Sequence, residues 1–429
     1  MQSRSPDGGG SERPARVSGA HALVAPVAEP PLPRTVKLLG AVSFAQDTGS
    51  ELLYPLLPTF LTVVLGAPVV AVGVAEGLAD AVAAGMKLVA GRLAGASKRR
   101  RWIATGYGLA TIGKVIVAVA FAWPVVLFGR VVDRLGKGIR GVPRDALIAD
   151  VTPENQRGRA FGLHRALDTS GAVLGPLLGL GLLHVLHGHI RPALAIAVIP
   201  AAISVALVGL VHEPPVAADA EPIGPAGGDP PESPTAPRAA PLPPQFWHAV
   251  VPLVVFALVN STDALLLQRA HELGLATTSI VLVYVLYNLV YAVLGYPAGR
   301  LADRIRPGIV IALGLVVFAI VYLGLGLATG SAAVWILLPL YGAYTAATDG
   351  VSRAWISRLV GSEQRTWALG IHGASTGLAT LLAGLWAGLF WGGSGRLPLC
   401  ISGAVALGVA AWLAVTTKLV VSAAPSRPA

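Results

Sequence analysis

The chain has 429 residues, of which 54% are hydrophobic and only 13% are charged. Soluble domains are about 45–50% apolar and about 25% charged, so the composition argues against a soluble globular protein. The formal net charge of +10 fits a nucleic-acid-binding protein only if the basic residues cluster on one surface, so their positions decide the matter.

The first 35 residues are rich in Pro, Gly, Ser and Arg and contain no apolar segment ahead of a cleavage site. This composition predicts a disordered tail and not a signal peptide. From Val36 to Val420 the chain divides into apolar stretches long enough to cross a hydrocarbon core of about 30 Å as helices. About twelve are expected, at 36–64, 68–91, 102–122, 124–145, 159–186, 191–211, 246–268, 277–299, 307–328, 331–354, 366–391 and 397–420.

A polar segment at 212–245, rich in Pro, Ala, Gly and Glu, interrupts these spans and is predicted to be a flexible cytoplasmic linker. It separates a six-helix bundle at 36–211 from a second one at 246–420, and a short tail follows at 421–429. The spans are long and do not alternate in polarity, so helices are predicted and not a β-barrel.

The two bundles repeat each other in sequence. Gly91-Arg92-Leu93-Ala94 recurs as Gly299-Arg300-Leu301-Ala302, an offset of 299 − 91 = 208 residues. Gly162 and His164 recur as Gly370 and His372 at the same offset. The sequence therefore predicts an all-α membrane protein built from two parallel six-helix repeats, a layout that places a binding site between the halves.

The basic residues sort by side of the membrane. With the amino terminus placed in the cytoplasm, only Arg191, Arg269 and Arg396 fall in the short outer loops, which satisfies the positive-inside rule. The positive charge is thus interpreted as an orientation signal, with both termini cytoplasmic, and nucleic acid is not an expected partner.

Charged residues recur on single faces of the first-half spans. At about 100° per residue, charges align on one face of each of three spans: Asp47 and Glu51 on the first, Glu76, Asp80 and Lys87 on the second, and Arg130, Asp133, Arg134, Lys137, Arg140 and Arg144 on the fourth. A charge near the bilayer centre costs about 2.5–3.5 kcal/mol, so such groups need partners or water. They are expected to line a water-filled cavity between the halves; the alternative is that they only hold neighbouring helices together.

The corresponding spans of the second half carry polar and aromatic side chains in place of the charges. These candidate cavity residues are Asn260, Asp263, Tyr284, Tyr287, Asn288, Tyr341, Tyr344 and His372. The two walls together suit a solute whose charged end contacts the first half and whose ring or apolar body contacts the second, although ordinary helix packing explains the tyrosines equally well.

A proton gradient is the expected energy source, because the chain contains no nucleotide-binding fingerprint. Asp47 and Glu51 lie one turn apart, and their repulsion favours holding one proton between them; with Asp80 they are the candidate proton-coupling residues. Cys400 is the only cysteine, and neither metal-ligand spacing nor a nucleophile–base pair is recognisable. No cofactor, metal or enzymatic activity is therefore expected.

Several loop and helix motifs resemble those of the major facilitator superfamily over nearly all of 36–420. They are Gly91-Arg92-Leu93-Ala94-Gly95 with its copy Gly299-Arg300-Leu301-Ala302-Asp303-Arg304, a fourth-span motif from Arg130 through Gly136, Gly138 and Pro143 to Arg157, and a fifth-span motif of Gly162, Gly171, Gly175-Pro176 and Gly179. The segment from Asp47 to Pro58 is similar to a bacterial branch whose substrates are mostly unassigned.

This resemblance implies a transporter of the bacterial cytoplasmic membrane whose two halves rock about a central site. The motif residues, together with Arg144 and Asp168, would then control gating: Gly91, Arg92, Gly162, Gly171, Gly175, Pro176, Gly179, Gly299, Asp303 and Arg304. Gly95 stands where the family usually has Asp, so the acid expected in the first half is present only in the second, as Asp303.

The function expected from the sequence is movement of a small anionic or zwitterionic organic solute by proton-coupled alternating access. The expected partners are the lipid bilayer and that solute, and the chain is expected to act as a monomer. A proton antiporter that exports an amphipathic drug or metabolite is one alternative. A membrane receptor or assembly factor that does not transport is another, which Gly95 favours.

Overall fold

A computed structural model describes residues 30–53, 56–57, 60–95, 98–213, 241–261, 263–392 and 394–422. The side chains at 62–63, 69–77, 80, 277–278 and 417–422 lie outside that description. Most of the predicted tails and of the predicted linker also lies outside the described residues.

The described residues form helices and no strand. A short π-helix covers Phe60–Val64 and a 3₁₀ turn covers Glu154–Gln156. The α-helices are α1 (Arg34–Leu53), α2 (Val69–Leu93), α3 (Arg99–Val119), α4 (Trp123–Asp150), α5 (Arg157–Val185), α6 (Ile190–Ile196), α7 (Val198–Val208), α8 (Pro244–Ala257), α9 (Asp263–Glu272), α10 (Thr277–Arg304), α11 (Pro307–Leu327), α12 (Ala332–Arg358), α13 (Ser362–Leu389) and α14 (Arg396–Ser422). Seven described helical stretches are long and apolar enough to cross a membrane, as expected of a multi-pass membrane protein.

Nine of the predicted spans form single long helices, but three are interrupted. In the first span, α1 ends at Leu53 and the π-helix covers Phe60–Val64; residues 54–55 and 58–59 lie outside the described residues. The sixth divides into α6 and α7 at Ala197, and the seventh divides into α8 and α9 around Asn260 and Ser261. Asn and Ser side chains compete for backbone hydrogen bonds, which favours a break at the latter site.

Within the first half, α3 and α4 approach each other closely because glycines line their contact. A Cβ atom added at Gly113 would lie 2.6 Å from the backbone of both Gly129 and Asp133. In the same way α5 packs on α1, where a Cβ added at Gly175 would lie 2.8 Å from the amide nitrogen of Leu52. These close approaches allow polar side chains on α1, α3, α4 and α5 to meet.

The two halves contact each other at one face of the molecule, which is termed the closed face. It carries the ends of α2, α4, α10 and α12 and the beginnings of α3, α5 and α13. Glycines line both seams there: Gly158 and Gly162 of α5 face Gly295 and Gly299 of α10, and Gly91 of α2 faces Gly370 of α13. The closed face is the side that the positive-inside rule predicts to be cytoplasmic.

Candidate functional site

A cavity of about 590 Å³ lies between the two halves. Helices α1, α2, α4 and α5 supply its first-half wall, and helices α8 to α13 supply its second-half wall. Its size falls within the range of about 300–1,000 Å³ that is usual for small-molecule sites. The predicted cavity residues that line it are Lys137, Asn260, Asp263, Tyr287, Tyr341, Tyr344 and His372, together with the predicted proton-coupling residue Asp47 and the predicted gating residues Arg144 and Asp168.

Two cations on the first-half wall form no ion pair among the described residues. The Lys87 ammonium of α2 lies 3.4 Å from the Gly373 carbonyl oxygen. The Arg140 guanidinium of α4 lies 4.5 Å from the centre of the Tyr107 ring, and its buried Nη1 has no hydrogen-bond partner. A cation held away from water without an ion-pair partner is costly, so these groups offer a place for an anionic ligand.

Ion pairs across the halves cover the cavity on the side of the closed face. Arg353 of α12 lies 3.0 Å from Asp145 of α4, and Arg165 of α5 lies 3.3 Å from Asp349 of α12. Asp349 also accepts a hydrogen bond from the Tyr291 hydroxyl at 2.6 Å. These contacts join α4 and α5 to α12, so the halves cannot separate at this face without breaking them.

Asp47 of α1 and Asp168 of α5 meet at the cavity wall. Their carboxyl groups are in hydrogen-bond contact, and Arg165 lies 2.9 Å from Asp168. Two carboxyl groups can share a hydrogen bond only when one of them carries a proton. The cations Lys137 and Arg140 act electrostatically on Asp47 from the facing side of α4.

A buried charge cluster between α3 and α4 stands apart from the cavity. Asp133 accepts a hydrogen bond from the Lys114 ammonium at 2.9 Å, and Arg130 lies 3.5 Å from its other oxygen. All three residues are less than 5% exposed, and none lines the cavity. Arg130 and Asp133 were predicted cavity residues, so for them the structure supports the alternative role of holding neighbouring helices together.

Other predicted residues also lie away from the cavity wall. Glu51 interacts electrostatically with the cations Lys137, Arg134 and Arg130, but it does not line the cavity. Arg134, Tyr284 and Asn288 also do not line the cavity. Tyr284 borders a small adjoining space beside Asp263. The side chains of Glu76 and Asp80 lie outside the described residues.

The closed face is held by acids that accept hydrogen bonds from the opposite half. Asp303, at the end of α10, accepts hydrogen bonds from the backbone amides of Gly158 and Arg159, both at 2.7 Å, and pairs with Arg358. Asp150, at the end of α4, pairs with Arg99 and with Arg365 of the second half. A Cβ added at Gly95 would meet nothing within 4 Å.

Two arginines at this face show the internal repeat in three dimensions. Arg157 donates from Nε to the Ala149 carbonyl, and Arg365, 365 − 157 = 208 residues later, donates from Nε to the Ser357 carbonyl. The two acceptors are also 357 − 149 = 208 residues apart. Three of the predicted gating residues lie in the seams of this face: Gly91, Gly162 and Gly299. Arg92 and Arg304 are exposed near it. Four others are buried in α5, where the glycines among them face α1: Gly171, Gly175, Pro176 and Gly179.

Sequence reasoning missed several residues that shape the site. Lys114, Asp145, Arg165, Asp349 and Arg353 were not among the predicted site residues, although each is a charge within an apolar span. That isolated charge is the signal that could have identified them.

The sequence model of the Major Facilitator Superfamily matches this chain twice, over residues 39–269 and 261–429. The chain belongs to the Major Facilitator Superfamily. The double match agrees with the two halves seen in the structure and with the 208-residue repeat. The predicted fold class, two six-helix pseudo-repeats of this superfamily, is confirmed.

One relative and two solved structures of the superfamily illustrate the likeness. An uncharacterized MFS-type transporter of Methanocaldococcus jannaschii is 29% identical over 367 residues, which cover 84% of this chain and 89% of the relative. The human organic anion transporter MFSD10 has a TM-score of 0.71 at 16% identity, with coverage of 90% of this chain and 100% of the other. The E. coli fucose:proton symporter FucP has a TM-score of 0.66 at 18% identity, with coverage of 88% and 98%. Identities this low support the fold alone.

Proposed function

We propose that the chain is a secondary active transporter that moves a small organic solute with an acidic group by proton-coupled alternating access. The observation that carries this proposal is the pair of cations, Lys87 and Arg140, that line the cavity without an ion-pair partner among the described residues. An acidic group bound between them supplies the missing negative charge.

Alternating access is supported by the uneven contact between the halves. The seams of α5 with α10 and of α2 with α13, and the ion pairs of Arg353 and Arg165, lie at or near the closed face. A central site closed at one face is one end state of a rocking cycle. The other end state requires these seams to open, and their glycine surfaces carry no side chains that interlock.

Proton coupling is proposed to use the Asp47–Asp168 pair. A second proton on this pair removes negative charge near Arg140 and Lys137, which strengthens their attraction for an acidic solute. Proton binding and solute binding then favour each other, and thermodynamic linkage makes that coupling reciprocal. We therefore expect proton and solute to move in the same direction.

A ligand screen on the purified protein tests the acidic-solute site. Small organic anions, zwitterions, chelators and drugs are compared by the rise in unfolding temperature, because a bound ligand stabilises by mass action, about 2.7 kcal/mol at 100 times its dissociation constant. We expect acidic compounds to give the rise, and the Lys87→Gln and Arg140→Gln variants to lose it. Arg101→Gln, at an exposed position of α3, is the matched control and should keep it. Equal shifts in all variants would contradict the proposed site.

Counterflow in reconstituted vesicles then tests transport. Vesicles loaded with an unlabelled compound from the screen should accumulate its labelled form transiently. A protein that binds the compound but shows no counterflow would be a receptor, the alternative that Gly95 favours.

Export by proton antiport is the second candidate. It is supported by the glycines of α5, at Gly171 and Gly175, which bring α5 against the backbone of α1 as in the motif associated with some exporters of the superfamily. Flux driven by pH gradients of opposite sign separates the two candidates, because symport and antiport respond to the gradient in opposite directions.

A further inference from the structure

Asp263 is a carboxylate on the cavity wall that has no cationic partner among the described residues. It is the first residue of α9, directly after the break between α8 and α9. The Tyr341 hydroxyl donates to its Oδ1 at 3.2 Å, and the Tyr287 hydroxyl also contacts it. The charged residues that act on the first-half acids Asp47 and Glu51 have no counterpart around Asp263, where the neighbours are tyrosines.

The aromatic rings around Asp263 form a continuous surface. The ring centres of Tyr287 and Tyr341 are 5.3 Å apart, those of Tyr284 and Tyr287 are 5.7 Å apart, and those of Tyr341 and Tyr344 are 5.1 Å apart. Asn260 donates to the Tyr344 hydroxyl at 3.1 Å, which fixes that ring relative to the break. Tyrosine faces attract an organic cation through their negative quadrupole, and a nearby carboxylate adds a full opposite charge.

On the two walls of the cavity, the charged side chains without an ion-pair partner among the described residues are therefore opposite in charge. The first half presents Lys87 and Arg140 as cations, and the second half presents Asp263 as an anion among aromatic rings. A solute with an acidic group at one end and an ammonium group at the other can contact all three groups with opposite charge at once. A purely anionic solute compensates only the first wall.

We propose that the tyrosine-lined pocket at Asp263 binds the ammonium group of a zwitterionic solute, whose acidic group binds Lys87 and Arg140. This inference rests on the proposed function and names its substrate class: an amino acid derivative or betaine with separated charges. Asp263 and the Tyr287 and Tyr341 rings confer specificity for the cationic end.

Binding of shape-matched probes tests the cationic site. The zwitterion 4-trimethylammoniobutyrate and the anion 5,5-dimethylhexanoate have the same shape, because a tert-butyl group replaces the trimethylammonium group. Butyltrimethylammonium supplies the cationic end alone, and trimethylammonio-carboxylates of graded chain length cover other charge separations. Isothermal titration of the purified protein with each probe gives the affinities.

We expect wild-type protein to prefer at least one zwitterion of the series over its tert-butyl analogue by about tenfold or more, equivalent to about 1.4 kcal/mol. Asp263→Asn should abolish that preference and leave the affinity for the tert-butyl anion within about twofold. Tyr341→Phe keeps the ring and should retain part of the preference, whereas Tyr341→Leu should lose more. The unfolding temperature of each ligand-free variant checks that the fold is intact.

Three outcomes would overturn the inference. The wild-type protein does not prefer any zwitterion of the series, or binds none; Asp263→Asn weakens zwitterion and tert-butyl anion equally; or Asp263→Asn leaves the preference unchanged and alters only the pH dependence of binding, which would make Asp263 a proton site. Failure of the proposed function is distinct from these, because it is the absence of counterflow for a zwitterion that binds in the Asp263-dependent manner.

Discussion

Asp133 lies between two cations from different helices, with Lys114 at 2.9 Å and Arg130 at 3.5 Å. Lys114 is 2% exposed, and its ion pair among the described residues is with Asp133. Removing one partner of a buried pair leaves the other charge uncompensated, which costs about 3–5 kcal/mol. The cluster therefore stabilises the contact of α3 with α4 only while it remains complete.

We predict that Asp133→Asn lowers the free energy of unfolding by about 3–5 kcal/mol, since it leaves Lys114 buried without its ion-pair partner. Lys114→Met should cost less, because Arg130 still compensates Asp133. The double variant Lys114→Met/Asp133→Asn should be more stable than Asp133→Asn alone. Chemical unfolding in detergent measures the three values. A double variant that loses the sum of both single costs would show that the pair is not coupled.

The Asp47–Asp168 pair gives a second prediction for single residues. Asp47→Asn removes the group that gains and loses the proton. Solute accumulation driven by a pH gradient should therefore fall to the level measured in vesicles without a gradient. Counterflow requires no net proton movement and should persist. Flux assays in the same vesicles measure both quantities, and Glu51→Gln serves as the comparison, because Glu51 does not line the cavity. Full gradient-driven accumulation by Asp47→Asn would exclude the proposed coupling site.

Sequence periodicity identified these charges as unusual but could not assign their partners. The sequence predicts one ionic stripe on α4 that carries Arg130, Asp133 and Lys137, yet Asp133 pairs with a lysine on α3 that the predicted site omitted. Partner choice depends on the rotation and depth of two helices to within a few ångströms. The close approach at Gly113 sets both, and helical periodicity alone does not determine it.

At the scale of helices, the seams of the closed face depend on glycine. Gly158 and Gly299 lie against each other's backbone across the α5–α10 contact, so any side chain at either position must force the helices apart. Interfaces of small residues allow this close approach and have no interlocking side chains to hold it.

We predict that Gly158→Val and Gly299→Val shift the protein away from the state with a closed face. A cysteine introduced for Thr348 in the cavity, in a Cys400→Ser background, should then react faster with a membrane-impermeant maleimide added from the side of the closed face. Gly181→Val on α5 is the matched control, because a Cβ there meets nothing within 4 Å. Unchanged labelling in both seam variants would show that the seam does not control access.

Predicted helix ends lie close to those in the structure where a proline and a loop mark both ends, whereas a break within a span was not predicted. The ninth span, predicted at 307–328, is the helix Pro307–Leu327, because Pro307 and the polar loop after Leu327 mark both ends. The seventh span, predicted as one helix at 246–268, breaks at Asn260 and Ser261, at the start of a polar run that ends at Asp263. Tertiary contacts of Asn260 with Tyr344 accompany that break, and a local pattern does not report them.

At the scale of the whole molecule, Arg353 is the residue that connects the halves most directly. It pairs with Asp145 of the first half at 3.0 Å and with Asp349 of its own helix at 2.7 Å. Asp349 in turn contacts Arg165 of the first half. Loss of Arg353 therefore removes one contact across the halves and weakens the arrangement of the other.

We predict that Arg353→Met raises the population of molecules in which the two halves have separated at the closed face by at least about tenfold, equivalent to about 1.4 kcal/mol. Spin labels at the exposed positions Arg101 and Glu363, on opposite halves of that face, report the change as a longer distance in pulsed electron resonance. Arg396→Met is the control, because Arg396 bonds the Gly326 carbonyl within the second half. An unaltered distance distribution in Arg353→Met would show that this residue does not hold the halves together.

The arrangement of two repeated bundles was predictable from the sequence, because a 208-residue offset relates both motifs and loop charges. The state in which the halves meet was not predictable. Asp145 precedes Asp349 and Arg353 by more than 200 residues in the chain. The pairing of Asp145 with Arg353 depends on how one bundle tilts against the other. The periodicity of the sequence is compatible with both tilts, so it does not indicate which of them the bundles adopt.

The interruption between α8 and α9 has a consequence for the order of events during a cycle. A helix divided within the membrane can flex at the division, so Asp263, the first residue of α9, can shift without displacing α8. Arg269 tethers the far part of α9 to the Leu325 and Ala328 carbonyls, while Asp263 stands at the other end. We expect a cargo that binds Asp263 to draw this end of α9 toward the cavity, so that recognition of the cargo would itself begin to close the site.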